Sequence, residues 1–121
     1  MRSISVLIVD DDEDFADGIA EILEMEGCEV GLAHSAEEGI AAAVDKPRDV
    51  VLIDIGLPGM SGVECLSRIR QATPGARCYL LTGYRADQVA ARGVEPGSVE
   101  ILTKPIEPAE LLRLINAAAA G

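Results

Sequence analysis

"VVLIDIGLPGMSG", residues 50–62, runs from consecutive aliphatic residues straight into a carboxylate, Asp54, and then into a turn-forming "GLPG". An apolar run of this length bounded by turn residues reads as a strand buried on both faces. A charge at its tip stands at the rim of a core and needs a reason. With the strand itself placed at 49–53, four other runs share the pattern: "ISVLIV" (4–9), "CEVGLA" (28–33), "RCYLLT" (77–82) and "VEILT" (99–103). Each is followed by a segment of helical period. Such alternation implies a parallel sheet with helices on both faces, joined by right-handed crossovers. The expected fold is therefore α/β, a single (βα)5 doubly wound domain over residues 1–121.

The helical segments carry their own signals. Phe15, Ile19, Ile22 and Leu23 form one apolar stripe, with Gly27 as its stop. "SAEE" and "SGVE" match the Ser-x-x-Glu capping box and mark helix starts at Ser35 and Ser61. Pro108 suits a first helical position and opens a final helix that presents Leu111, Leu112, Leu114 and Ile115. The fourth helical segment, around "ADQVAAR" (86–92), has Val89 as its only large aliphatic and is the least firmly specified.

A chain of 121 residues, 49% hydrophobic and 26% charged, suits one globular domain. No apolar run approaches the ~20 residues that span a bilayer. The N-terminus lacks the apolar core of a signal peptide, so the expected location is cytoplasmic. Met1 stands three residues before the first strand and reads as a native start; "NAAAAG" at the other end reads as a frayed helix or the beginning of a linker. Cys28, Cys65 and Cys78 are widely spaced within apolar segments, as buried free thiols are. A net charge of −11 repels phosphate backbones and anionic surfaces, so neither direct nucleic-acid binding nor membrane binding is expected.

In open α/β sheets, ligands bind beyond the carboxyl ends of the strands, where strand order reverses. The first strand ends in "DDD" (10–12), the third in Asp54, the fourth in Thr82 and the fifth in Lys104. With strand order 2-1-3-4-5, the aspartates converge in one crevice. Such a cluster repels itself unless a hard cation relieves it, and magnesium is the natural candidate. Lys104 and Thr82 have no duty toward a metal, but both suit a phosphoryl group, the first as a point charge and the second as a hydrogen-bond donor. Asp54 then reads as a nucleophile. Plainer readings stand beside these: helix capping for the acids, assigned to Asp12 or Asp14; a one-residue slip of the metal pair to Asp11 and Asp12; a turn residue at Asp54; a strand threonine; a solvated lysine. His34 reads as a surface residue.

Taken together, "LIVDDD", "LIDIGLPGMSG", "LLTGY" and "LTKP" resemble, in order and approximate spacing, the receiver domain of bacterial two-component response regulators, which are CheY-like and flavodoxin-like in fold. The resemblance covers the whole chain. It implies that Asp54 is the phosphoacceptor, supplied by a sensor histidine kinase or a histidine phosphotransfer protein. It also implies that Asp10 and Asp11 hold Mg²⁺ together with Asp54 and the backbone carbonyl of Gly56. Thr82 would be the switch hydroxyl and Lys104 the contact to the phosphoryl group, with the Lys104–Pro105 bond cis. A downstream effector or a second copy would meet the face formed by the fourth helical segment, the fifth strand and the final helix. One departure stands out, because Ile101 occupies the position where many receivers carry Tyr or Phe.

Rival readings fare less well. A haloacid-dehalogenase-like phosphatase needs a second aspartate two residues after the nucleophile, where this chain has Gly56. A flavodoxin-like cofactor carrier needs a phosphate-cradling loop after the first strand, and none is present. A degenerate receiver, acting as a phosphorylation-independent interaction module, is the remaining alternative; the intact set of Asp10, Asp11, Asp54, Thr82 and Lys104 argues against it.

Overall fold

The computed structural model describes residues 3–83 and 99–120. Within them run β1 (Ser5–Val9), α1 (Glu13–Met25), β2 (Glu29–Ala33), α2 (Ala36–Asp45), β3 (Val50–Asp54), α3 (Gly62–Ala72), β4 (Arg77–Thr82), β5 (Glu100–Thr103) and the final helix α4 (Pro108–Ala120). The helix expected around "ADQVAAR" and the side chain of Tyr84 lie outside the described residues.

All five strands are parallel, as the alternating pattern predicts, and their order is the expected β2-β1-β3-β4-β5. Every residue of β1 and β3 is buried, which is why both are continuous in aliphatic side chains. Strand β3 begins one residue later than expected and takes in Asp54, whose Cα pairs with Leu81 of β4. The carboxylate therefore belongs to the strand itself and is held with the rigidity of the sheet.

Alternation along the strands divides the core into two layers. Val6 and Ile8 face Ala16, Ile19 and Leu23 of α1 and Leu111 and Leu114 of α4. On the opposite face, Leu7 and Val9 meet Ala36 and Ala43 of α2 and the Cys65 and Ile69 side chains of α3. Each fully buried Leu or Ile here contributes about 1.5–3 kcal/mol relative to exposure. The three cysteines are buried and free. Leu112, expected on the inward stripe of the last helix, is instead 37% exposed, because a 3.6-residue period puts Leu111 and Leu114 on the buried side and turns Leu112 outward.

The helix starts obey their caps. Asp12, Ser35 and Ser61 accept hydrogen bonds from the backbone N–H groups of Phe15, Glu38 and Glu64, each at 3.1 Å. Each cap stabilises its helix by about 1 kcal/mol. Asp12 is thus the capping residue, and Asp14 is left inside the first turn. Gly27, at φ +88°, ends α1 in the left-handed region as expected.

One glycine controls how closely α2 approaches the strand that carries the first acid. A Cβ at Gly39 would lie 2.8 Å from both γ-methyl groups of Val9. Alanine gains about 1 kcal/mol in helix propensity, but overpacking of this kind costs about 1–3 kcal/mol. Gly39→Ala should therefore leave the protein less stable, seen as a lower urea midpoint at unchanged m-value; a raised midpoint would show that α2 yields freely.

Candidate functional site

The parallel register carries the acids together. Val9 is paired with Ile53, so the next positions, Asp10 and Asp54, stand side by side at the carboxyl end of the sheet. Asp10 is fully buried, and Asp54 is 9% exposed. Asp11 follows on the open side, before the Asp12 cap turns the chain into α1. Asp10, Asp11 and Asp54 each bring a carboxylate oxygen to within 4.8 Å of the other two. The structure thus gathers Asp10 and Asp11 into the cluster, while Asp12 is occupied as a helix cap.

Lys104 supplies the opposing charge. Its backbone N–H donates to the Thr82 carbonyl at 2.8 Å, which extends the β4·β5 pairing by one bond and sets the lysine beside the buried Thr82. The Lys104 Nζ lies 2.7 Å from Asp10 Oδ2 and 3.8 Å from Asp54 Oδ1. The Lys104–Pro105 bond is cis, as the resemblance implies. Asp10 Oδ1 accepts the Asp12 N–H at 2.9 Å, but Oδ2, though close to the ammonium, has no hydrogen bond of good alignment. Asp54 Oδ1 accepts the Gly56 N–H at 3.1 Å.

Burial is the largest influence on Asp54 and raises its pKa above the ordinary carboxylate value. The Gly56 hydrogen bond opposes that shift, the Asp10 charge reinforces it, Lys104 opposes it, and Asp11 reinforces it more weakly. Three hard oxygen donors, an incompletely satisfied buried carboxylate oxygen and an excess of negative charge fit a small divalent cation. A side chain at position 56 would begin 3.7 Å from Asp54 Oδ1, so glycine keeps that carboxylate open.

Two residues of the site were not anticipated in these roles. Phe15 was assigned only to the apolar stripe of α1, yet the Lys104 ammonium stands 4.4 Å from its ring centroid, a cation–π contact between the first helix and the far end of the chain. His34 was expected at the surface but is half-buried, with Nδ1 3.1 Å from the Asp10 carbonyl oxygen. Local sequence carries no sign of either contact, since both depend on the sheet bringing distant segments together. Ile101 is half-buried against the layer that faces α2 and α3.

Comparison with known proteins agrees with this geometry. Residues 6–116 match the family of the response regulator receiver domain, and the chain belongs to that family. It is 38% identical over 118 residues to the uncharacterized transcriptional regulatory protein YkoG of Bacillus subtilis, a match that covers 98% of this chain and 52% of that protein. The chain spans about half the length of several of the curated relatives it matches. A CheY-like receiver domain protein from Methanospirillum hungatei superposes with a TM-score of 0.83 at 33% identity, covering 99% of this chain and all of that one. A response regulator protein from Burkholderia pseudomallei, solved with a phosphorylated aspartic acid, a calcium ion and citrate, superposes with a TM-score of 0.82 at 28% identity, covering 98% of this chain and 70% of that one. The cluster of Asp10, Asp11 and Asp54 is typical of the receiver metal site. The protein is a signalling domain of two-component systems, a class that pairs with histidine kinases. Among the described residues, no helix is long and apolar enough to cross a membrane.

The raised pKa of Asp54 has a signed consequence. Folding disfavours its ionised form, so its contribution to stability is favourable at low pH and is lost as pH rises through the folded-state pKa. With divalent metal chelated, Asp54→Asn should stabilise the protein at neutral pH, and the gain should shrink as pH falls through the ordinary aspartate range. Urea denaturation across pH measures this; a gain that grows on acidification would contradict the assignment.

Proposed function

We propose that Asp54 accepts a phosphoryl group from the phosphohistidine of a sensor histidine kinase or histidine phosphotransfer protein, in a Mg²⁺-dependent reaction, and that the modified domain controls an output. The observation that supports this most directly is the meeting of a buried, strand-held carboxylate with two further acids and one ammonium at the carboxyl ends of the sheet. An Asp54 carboxylate oxygen forms the new P–O bond as the donor's P–N bond breaks, and the departing imidazole leaves with a proton. Residues 1–121 act as one receiver domain in this reading, in the cytoplasm.

Asp10, Asp11 and Asp54, with the Gly56 carbonyl, would hold the Mg²⁺. When bound, the ion offsets the carboxylate charge and that of the phosphoryl oxygens. Asp10 holds the Lys104 ammonium in reserve, 3.8 Å from Asp54 Oδ1, where a phosphoryl oxygen on Asp54 would compete for it. Thr82, buried at the end of β4, supplies a hydroxyl donor to the same group. The phosphorylated aspartic acid of the Burkholderia protein supports carrying this chemistry over.

The route of the signal differs from the family's usual one at Ile101. This side chain is β-branched, stiff at χ1 and without a polar tip, so it stays packed in both states. The loop expected to carry the shift instead lies, from residue 84 onward, outside the described residues.

Two experiments separate these roles. Acetyl phosphate with Mg²⁺ should add one phosphoryl group to the wild-type chain by intact mass, and none to Asp54→Asn; equal labelling of the variant would refute the acceptor. Metal titration followed by NMR should show Asp11→Asn weakened in Mg²⁺ affinity and Thr82→Ala close to wild type, with Thr82→Ala losing the spectral response to phosphorylation. Equal loss of Mg²⁺ in both variants would contradict the division of labour.

A further inference from the structure

The β1·β2 pairing is flanked by a bond from the Glu29 N–H to the Ile4 carbonyl and another from the Asp10 N–H to the Ala33 carbonyl, both 2.9 Å. Bonds in a parallel ladder recur at every second residue, so the donor due to reach the Asp10 carbonyl is the Ser35 N–H. Ser35, however, has turned away to cap α2, where its hydroxyl accepts the Glu38 N–H. The Asp10 carbonyl is met by the His34 ring instead, at 3.1 Å from Nδ1. A carbonyl oxygen only accepts, so Nδ1 carries the hydrogen. The backbone of His34 is tied to α2, its main-chain N–H donating to Glu38 Oε1 at 3.2 Å, and Nε2 of the ring lies 4.0 Å from Glu13 Oε1 of α1.

We propose that His34 is a positioning residue for the metal site. By holding the Asp10 carbonyl, it fixes the peptide between Asp10 and Asp11 and so the directions in which the two carboxylates leave the backbone. Asp11 depends on this most. It is exposed, and among the described residues it has no hydrogen bond or ion pair of its own, so its aim is set by the backbone. Asp10 is better secured, with its carboxylate tied to the Asp12 N–H and Lys104. The inference rests on the reading of Asp10 and Asp11 as metal-holding carboxylates.

The test uses the full chain and Mg²⁺ alone, titrated at one fixed pH and followed by NMR, for wild type, His34→Asn, His34→Gln, His34→Ala and Asp11→Asn. Asparagine places an amide N–H near the position of Nδ1, whereas glutamine reaches past it and alanine has no donor. Loss of a hydrogen bond that orients a metal ligand weakens affinity by about 10- to 100-fold. His34→Ala and His34→Gln should fall in that range, and His34→Asn should bind as wild type does. The imidazole ¹⁵N shifts of the wild-type protein should show hydrogen on Nδ1. Wild-type affinity in His34→Ala, weakness in His34→Asn equal to that in His34→Ala, or a bare Nδ1 would each overturn the proposal. If Asp11→Asn loses Mg²⁺ while His34→Ala keeps it, the error lies with His34 alone; if Asp11→Asn binds as wild type does, the metal-site reading itself fails.

Discussion

Pairing of Val9 with Ile53 is the constraint on which the rest depends. It places Asp10 and Asp54 as neighbours facing the same way at the end of two buried strands, and like charges so placed repel. A slip of one residue would turn the alternating aliphatic side chains of β3 to the wrong faces, so the hydrophobic core enforces a juxtaposition that electrostatics opposes. The core prevails because many buried aliphatic side chains are set against one pair of carboxylates.

The repulsion is managed by directed donors. The Asp12 N–H serves Asp10, the Gly56 N–H serves Asp54, and the Lys104 ammonium lies nearer to Asp10 than to Asp54. Phe15 adds an aromatic face beneath that ammonium. The balance is unequal: the fully buried acid holds the closer cation, and the one with some exposure has its charged form disfavoured. An acid with a poorly compensated charge, open on the side of Gly56, is suited to react.

Much of this could be read before any coordinates. The parallel sheet followed from alternating βα units, and the acids, hydroxyl and lysine were legible because each sits where an apolar run stops. Helix starts at Ser35 and Ser61 were legible because capping is local chemistry. Leu112 was misplaced because the inward stripe was drawn one residue too wide. The contacts of Phe15 and His34 were illegible for another reason. Phe15 meets a lysine from the other end of the chain, and His34 takes a ladder position vacated by a helix cap, so each requires the assembled sheet.

Lys104 is also the member of the pocket farthest along the chain. A ribosome has finished Asp10, Asp11 and Asp54 well before the ammonium that faces them exists, and Phe15 waits as long for the cation it will carry. A nascent chain halted before β5 holds the acids without their counter-charge and without the strand that delivers it. The pocket is thus a property of nearly the whole receiver domain, and the self-repelling half of it is synthesised first.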